Sequence, residues 1–212
     1  FWLKTSGSKA HECRFPFQLM EPIVPGWVFP ITTTWVLKEK MGMLSDSFQV
    51  KDVNGVVVMY STKVGPGENL TIHDMRSGDV MFELQAKQAP KNKTYYVMRD
   101  KVIKATVRAK MITVHKRIHV YVGEEHFTYA NYPKSQSTAI LTIARSNALN
   151  SRSLVVTAGE DTSVLVARLR SEVDISYDVA FDEYTIEVER GVDVSLLVAV
   201  MLAVDDINED IS

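Results

Sequence analysis

Residues 194–204 read Val-Ser-Leu-Leu-Val-Ala-Val-Met-Leu-Ala-Val, and this run limits what the chain can fold into more than any other stretch. Ten of the eleven residues are apolar, Ser195 being the exception; Asp193 stands before the run in an N-cap position, and Asp205 and Asp206 return it to water. Length and Leu/Ala/Met content predict a helix over 193–206, and a helix without a polar stripe must be buried on every side. At 1.5 Å per residue it would be roughly 21 Å long, short of the ~30 Å of a bilayer core. The rest of the chain therefore has to supply a container for a hydrophobic rod.

The container is legible as period-two alternation. Phe48 and Val50 oppose Ser47, Gln49 and Lys51, and Val80, Phe82, Leu84 and Ala86 oppose Met81, Glu83, Gln85 and Lys87. In the same way Ile103, Ala105, Val107 and Ala109 oppose Lys104, Thr106, Arg108 and Lys110. Leu165, Ala167 and Leu169 oppose Val166, Arg168 and Arg170, while Tyr184, Ile186 and Val188 oppose Thr185, Glu187 and Glu189. One apolar face per run predicts antiparallel sheet, packed on one side and wet on the other. Further β-branched runs at 32–38, 56–60, 69–73, 94–98, 118–122, 138–144, 153–158 and 173–179 bring the total to about a dozen strands.

A weak repeat joins two of the hairpins. Asp52-Val53-Asn54-Gly55 and Asp74-Met75-Arg76-Ser77-Gly78 each lie between two strands. Asp and Asn bond their own backbone in turns and Gly supplies positive φ. The first of these is a turn and not a calcium loop, because the later acidic ligands are missing. A dozen strands closed into a barrel enclose a lumen wider than their own side chains fill, and a helix about 10 Å across fits it. The expected fold is mainly β: a closed antiparallel barrel of about twelve strands around a C-terminal hydrophobic helix. Residues 1–30, with Pro16, Pro22, Pro25 and Pro30 breaking any period, read as an irregular arm anchored by Phe15, Phe17, Trp27 and Phe29; residues 31–212 read as the single barrel domain.

The series of motifs along the chain resembles the LURP-one-related family, within the Tubby C-terminal-like group that also holds the phospholipid scramblases. Phe48-x-Val50-x-Asp52-x-x-Gly55 is followed by Leu70-x-Ile72-x-Asp74, Gly78-x-Val80-x-Phe82, Tyr95-Tyr96-Val97 and Ala105-Thr106-Val107-Arg108. Val166-Ala167-Arg168-Leu169, Asp182-x-Tyr184-x-Ile186-x-Val188 and Gly191-Val192-Asp193 then run directly into the apolar helix, so the likeness spans about residues 33 to 207. The resemblance implies a twelve-stranded barrel threaded by its last helix and a non-enzymatic role, some members being linked to plant defence. Tubby relatives bind phosphoinositide head groups through basic residues on the barrel exterior. A scramblase-like transporter is the more distant reading, since this chain has no Cys cluster and its helix runs into an acidic tail.

Charge is unevenly placed although the net charge is only −2. Between Lys87 and Arg117 ten Lys and Arg residues face one acid, Asp100, while residues 155–212 hold fourteen acids against Arg168, Arg170 and Arg190. Alternation turns Lys104, Arg108 and Lys110 outward, and turns Arg117 and His119 outward if Ile118, Val120 and Val122 face in. With Lys101 these six are the candidate contacts to an anionic phospholipid or phosphoinositide. Each Lys or Arg near an anionic leaflet contributes ~1 kcal/mol, so five or six hold a protein reversibly. A solvated barrel exterior balanced by the acidic third explains the same charges without any ligand. A protein partner bound by the acidic third or the Pro-rich arm is the other alternative.

Other chemistries lack their residues. His115 and His119 have i, i+4 spacing but sit in a β-branched run with no Cys or acid to complete a zinc site. There is no Gly-x-Ser-x-Gly elbow and no phosphate-cradling Gly loop, and the four acids at 182–189 alternate with Tyr184, Ile186 and Val188 as a wet strand face does. No recognition helix or aromatic stacking motif accompanies the basic run, so nucleic acid is not expected. The expectation is a monomeric binding module without enzymatic activity, cofactor or metal. The single cysteine, Cys13, forbids an internal disulfide and suits a reducing, cytoplasmic setting, peripheral to the membrane if lipid is the ligand. The chain begins at Phe1 and so reads as an excised portion, from which a targeting segment could have been lost.

Overall fold

In the computed structural model the described residues are 22–40, 47–63, 69–87, 94–110, 117–125, 138–145, 153–160, 164–171 and 183–209. The arm anchors Phe15 and Phe17, and the predicted strand at 173–179, lie outside them. Twelve strands follow in order: β1 (Thr33–Lys40), β2 (Ser47–Lys51), β3 (Val57–Lys63), β4 (Leu70–Asp74), β5 (Val80–Lys87) and β6 (Thr94–Arg99), then β7 (Val102–Lys110), β8 (Arg117–Val122), β9 (Leu141–Arg145), β10 (Ser153–Ala158), β11 (Leu165–Ser171) and β12 (Glu183–Val188). Each pairs antiparallel with its sequence neighbours, and β1 pairs with β12, so the sheet closes into a barrel without free edges.

The apolar run is helix α1 (Val194–Glu209), three residues longer than the sequence predicts at its C-terminal end. All of residues 194–204, Ser195 included, are buried, so no face of α1 is left to solvent over this stretch. Inward residues such as Leu37, Phe82, Val97, Val107, Ile143 and Ile186 form one core with it. Asp193 caps the helix as expected: its Oδ1 accepts from the backbone N–H of Ser195 at 3.0 Å and of Leu196 at 3.2 Å. Two orphan N–H groups of the first turn are thereby satisfied.

The two barrel ends differ. At one end lie the tight turns after β2, β4 and β6, and α1 starts there. Asp52 Oδ1 accepts from Asn54 N and Val56 N at 2.9 Å, and Gly55 takes φ 79°. In the second repeat Asp74 Oδ1 accepts from Arg76 N at 2.8 Å and Gly78 has φ 76°. Both are the turns read from the sequence. At the other end the odd-numbered strands finish, the even-numbered ones begin, and α1 ends.

Strict alternation fails near the tight-turn end, for a local reason. Register shifts leave one unpaired residue near the start of β3, β5, β7 and β11, namely Val58, Met81, Lys104 and Val166. A bulge of this kind adds a residue and increases twist, as closure of a barrel rim requires. The result overturns several inward assignments. Val80 is 49% exposed while Met81, read as outward, is 3% exposed; Val166 is buried and Leu165 only partly so. Ile103 is also only partly buried, and Val122, at the rim, is exposed.

The tight-turn end is closed by residues 23–29. Trp27 is buried in the core against Trp35 and Phe29, with ring centroids 5.8 and 6.4 Å away. Asp193 Oδ2 accepts from Ile23 N at 2.8 Å, Val28 bridges to Asp193, and Gly191 N donates to Phe29 O at 2.8 Å. Arg99 donates to the Ile23 carbonyl. The Arg76 guanidinium lies 4.9 Å over the Trp27 ring and pairs with Asp74 at 3.1 Å.

Asp74 is consequently a pH-sensitive joint. Partial burial pushes its carboxyl up, but hydrogen bonds and charge from Arg76, with a hydrogen bond from Trp27, outweigh this and hold it below the usual carboxylate range. A depressed folded-state value stabilises the protein above the unfolded value of about 3.9, and the contribution is lost as pH falls through the folded value. Asp74→Asn is therefore expected to lower stability at neutral pH by on the order of 1 kcal/mol. Urea melts of the two proteins should converge as pH falls into that acid range; an unchanged gap would refute this account.

Candidate anionic-ligand interface on the outer wall

The five cations and one histidine proposed from the sequence lie on β7, β8 and the turn before β7, but the fold separates them. Asp100 and Lys101 have φ 52° and 62° and form the two-residue turn between β6 and β7, so Lys101 is exposed at the tight-turn end. Positive φ at both central residues is the geometry that matches the twist of flanking strands. Lys104 is the bulge residue of β7; it is partly buried, and its carbonyl accepts from Gly123 N at 2.8 Å. From Lys101 to Lys110 the chain runs nine residues, about 30 Å at ~3.3 Å each. Lys101 and Lys110 therefore serve opposite ends.

Arg108, Lys110 and Arg117 are brought together. Lys110 is the direct register partner of Arg117, and Arg108, two residues earlier on the same row, pairs with His119 on one side and Thr94 on the other. Thr94 in turn pairs with Lys87, whose Nζ donates to Tyr96 Oη at 2.7 Å. Like charges directly opposite on neighbouring strands are destabilising, so the Lys110–Arg117 register is not there to hold the sheet together. Arg117 and Lys87 are exposed and Arg108 is partly buried.

His119 is a correction. Its parity is outward as expected, yet it is only 2% exposed, so it offers no surface to an external ligand. Its Nδ1 lies 3.3 Å from Tyr121 Oη and 3.9 Å from Glu160 Oε1, which also accepts from Ala139 N at 3.4 Å. Chain that follows β10 reaches it through Glu160, and residues 123–125 after β8 lie in the same way against Thr106 on the outer face. Thr106 Oγ1 donates to Gly123 O at 2.7 Å and accepts from Glu125 N, and Thr142 Oγ1 donates to Gly159 O at 2.6 Å. Thr106, His119, Tyr121, Glu125 and Thr142 are all buried outside the barrel wall. Alternation alone cannot reveal this layer, because it reports which side of the sheet a residue takes and not what lies over it. The available hint was the row of small or aromatic residues, Tyr96, Thr106 and Tyr121, on a face expected to be charged.

His115, the other half of the histidine pair, lies outside the described residues, and among the described residues no group of three or more His, Cys, Asp or Glu side chains is placed to hold a metal ion.

A family model described as LURP-one-related matches residues 33–205. An X-ray structure of a protein from Arabidopsis thaliana is similar in fold, with a TM-score of 0.56 and 17% sequence identity, covering 89% of this chain and 98% of that one. No curated protein matches the sequence.

Proposed function

Since this chain belongs to the LURP-one-related family, we propose that it is a non-enzymatic binding module that docks reversibly on anionic phospholipid through Arg108, Lys110 and Arg117 on the barrel exterior. What carries the reading is the register that sets Lys110 directly opposite Arg117 on the neighbouring strand, a pairing of like charges that favours an anionic partner. Three cations near an anionic leaflet contribute ~3 kcal/mol, enough for reversible attachment and weak enough to be screened by salt.

The test is sedimentation with vesicles. Arg108→Glu with Arg117→Glu should abolish binding to vesicles of phosphatidylcholine and phosphatidylserine, and added salt should weaken the binding of the unaltered protein. No association of the unaltered protein with such vesicles at low salt would end the proposal. The scramblase-like alternative places the last helix in the bilayer, whereas α1 is enclosed by the barrel core. Among the described residues no helix is long and apolar enough to cross a membrane.

A further inference from the structure

The positions of the strand ends suggest how the module is oriented. Strands β3, β5, β7 and β9 finish at Lys63, Lys87, Lys110 and Arg145, and β8 begins at Arg117. Because every pair is antiparallel, all five positions fall on one end of the barrel, the end where α1 also finishes. The remaining two strand ends on this arc are Leu70 and Thr94, so among the described residues none of the seven from β3 to β9 is acidic. Neighbouring strands lie ~4.8 Å apart, which spaces successive odd-strand ends about 10 Å from one another along the rim. Lys63, Lys87 and Arg117 are exposed.

Among the described residues the acids at this end include Asp206 and Glu209 in the last turns of α1 and two that lie toward β12. Glu183 starts β12 and pairs with Lys38 at 3.1 Å. Asp205 near the end of α1 accepts from Tyr184 Oη on β12 at 3.0 Å, which ties it to the acidic side. The mouth is thus divided into a basic arc over β3–β9 and an arc at β12 that holds Glu183 and the Asp205 contact.

We infer that the barrel docks end-on: the mouth where α1 finishes faces the anionic membrane, and the arc of Lys63, Lys87, Lys110, Arg117 and Arg145 makes the contact. This rests on the anionic-lipid reading above and adds orientation and three cations that the outer wall of β7 and β8 does not contain. A side-on barrel would instead engage the full length of β7, Lys101 and Lys104 included. An end-on barrel keeps Lys101 about 30 Å and Lys104 about 20 Å of strand away from that mouth.

The experiment uses the full chain and vesicles of phosphatidylcholine with or without phosphatidylserine. Lys63→Glu, Lys87→Glu and Arg145→Glu together should reduce partitioning by about 100-fold, given the contribution of each cation near a leaflet. Lys101→Glu with Lys104→Glu should leave it within about threefold, the residual effect expected beyond a Debye length. The milder set Lys63→Gln, Lys87→Gln and Arg145→Gln serves if the charge reversals impair folding. An independent readout places a fluorophore at Ser153→Cys, at the mouth, or at Ser77→Cys, in a tight turn, each in a Cys13→Ser background. A headgroup nitroxide should quench the mouth label and spare the turn label. If the unaltered protein ignores phosphatidylserine, the lipid reading fails and this inference with it. If it binds but Lys101 and Lys104 matter as much as the arc, or the turn label is the one quenched, end-on docking is overturned while lipid binding stands.

Discussion

Truncation after Gly191 is expected to leave a chain that does not fold. The deletion removes α1, and with it ten apolar side chains from residues 194–204 that are buried within the barrel. At ~1.5–2 kcal/mol each, that burial contributes a gross ~15–20 kcal/mol, against a net stability of ~5–15 kcal/mol for a typical domain. The strands cannot collapse onto the vacancy, because a closed barrel has a diameter set by strand number and tilt. Circular dichroism and thermal melts should show no cooperative transition. A truncated chain that melts cooperatively would refute the central-helix account. Val200→Asp tests the same point without deletion: it places a carboxylate at a fully buried helix position, where desolvation is prohibitive.

Trp27→Ala is expected to lower stability by about 3–5 kcal/mol, the range for deleting a large buried aromatic. Trp27 lies outside the stretch matched by the family model, residues 33–205. Yet its ring is 2% exposed, packs on Trp35 and Phe29, and is covered by Arg76. The backbone around it is tied to Asp193, the residue that also caps α1. Removing residues 1–30 should therefore cost at least as much as the single substitution, seen as a fall in the urea midpoint. A chain starting at Ile31 that melts within about 1 kcal/mol of the longer one would show that residues 23–29 merely rest on the barrel, since a loss of that size is no more than a typical surface change produces.

Much of the fold was legible from particular residues. Asp193 with the apolar run dictated a capped, buried helix, because no other arrangement hides ten consecutive-turn apolar side chains from water. The rows Ala105, Val107, Ala109 and Leu84, Phe82 gave the inward face correctly, since period two is a property of the strand itself. The repeat at Asp52–Gly55 and Asp74–Gly78 gave its turns, because Asx bonding and positive φ are local. Alternation broke at Val80, Met81, Leu165 and Val166, where a bulge adds a residue: which strand carries it depends on the partner's register, and a lone strand's sequence does not contain that.

The candidate site was legible in part. A basic run between Lys87 and Arg117 stood out by count, and Arg108, Lys110 and Arg117 do come together. Lys101 does not join them, because nine residues become ~30 Å of strand, and Lys104, ~20 Å from Lys110, is the partly buried bulge residue of β7. His119 had the right parity but is buried beside Tyr121 and Glu160, the latter in the chain that follows β10. Lys63 and Arg145, far from the run in sequence, join it on the rim only because antiparallel order gathers every second strand end on one side.

The sequence by itself determined a buried helix, the strands that enclose it and the local turns, all of which follow from hydrophobic period and backbone chemistry within a few residues. Tertiary structure alone decided which end of the barrel each charge occupies, which outward residue is covered and that residues 23–29 close the rim. Those outcomes depend on strand register and on chain crossing the outside of the sheet, which are contacts between residues distant in sequence.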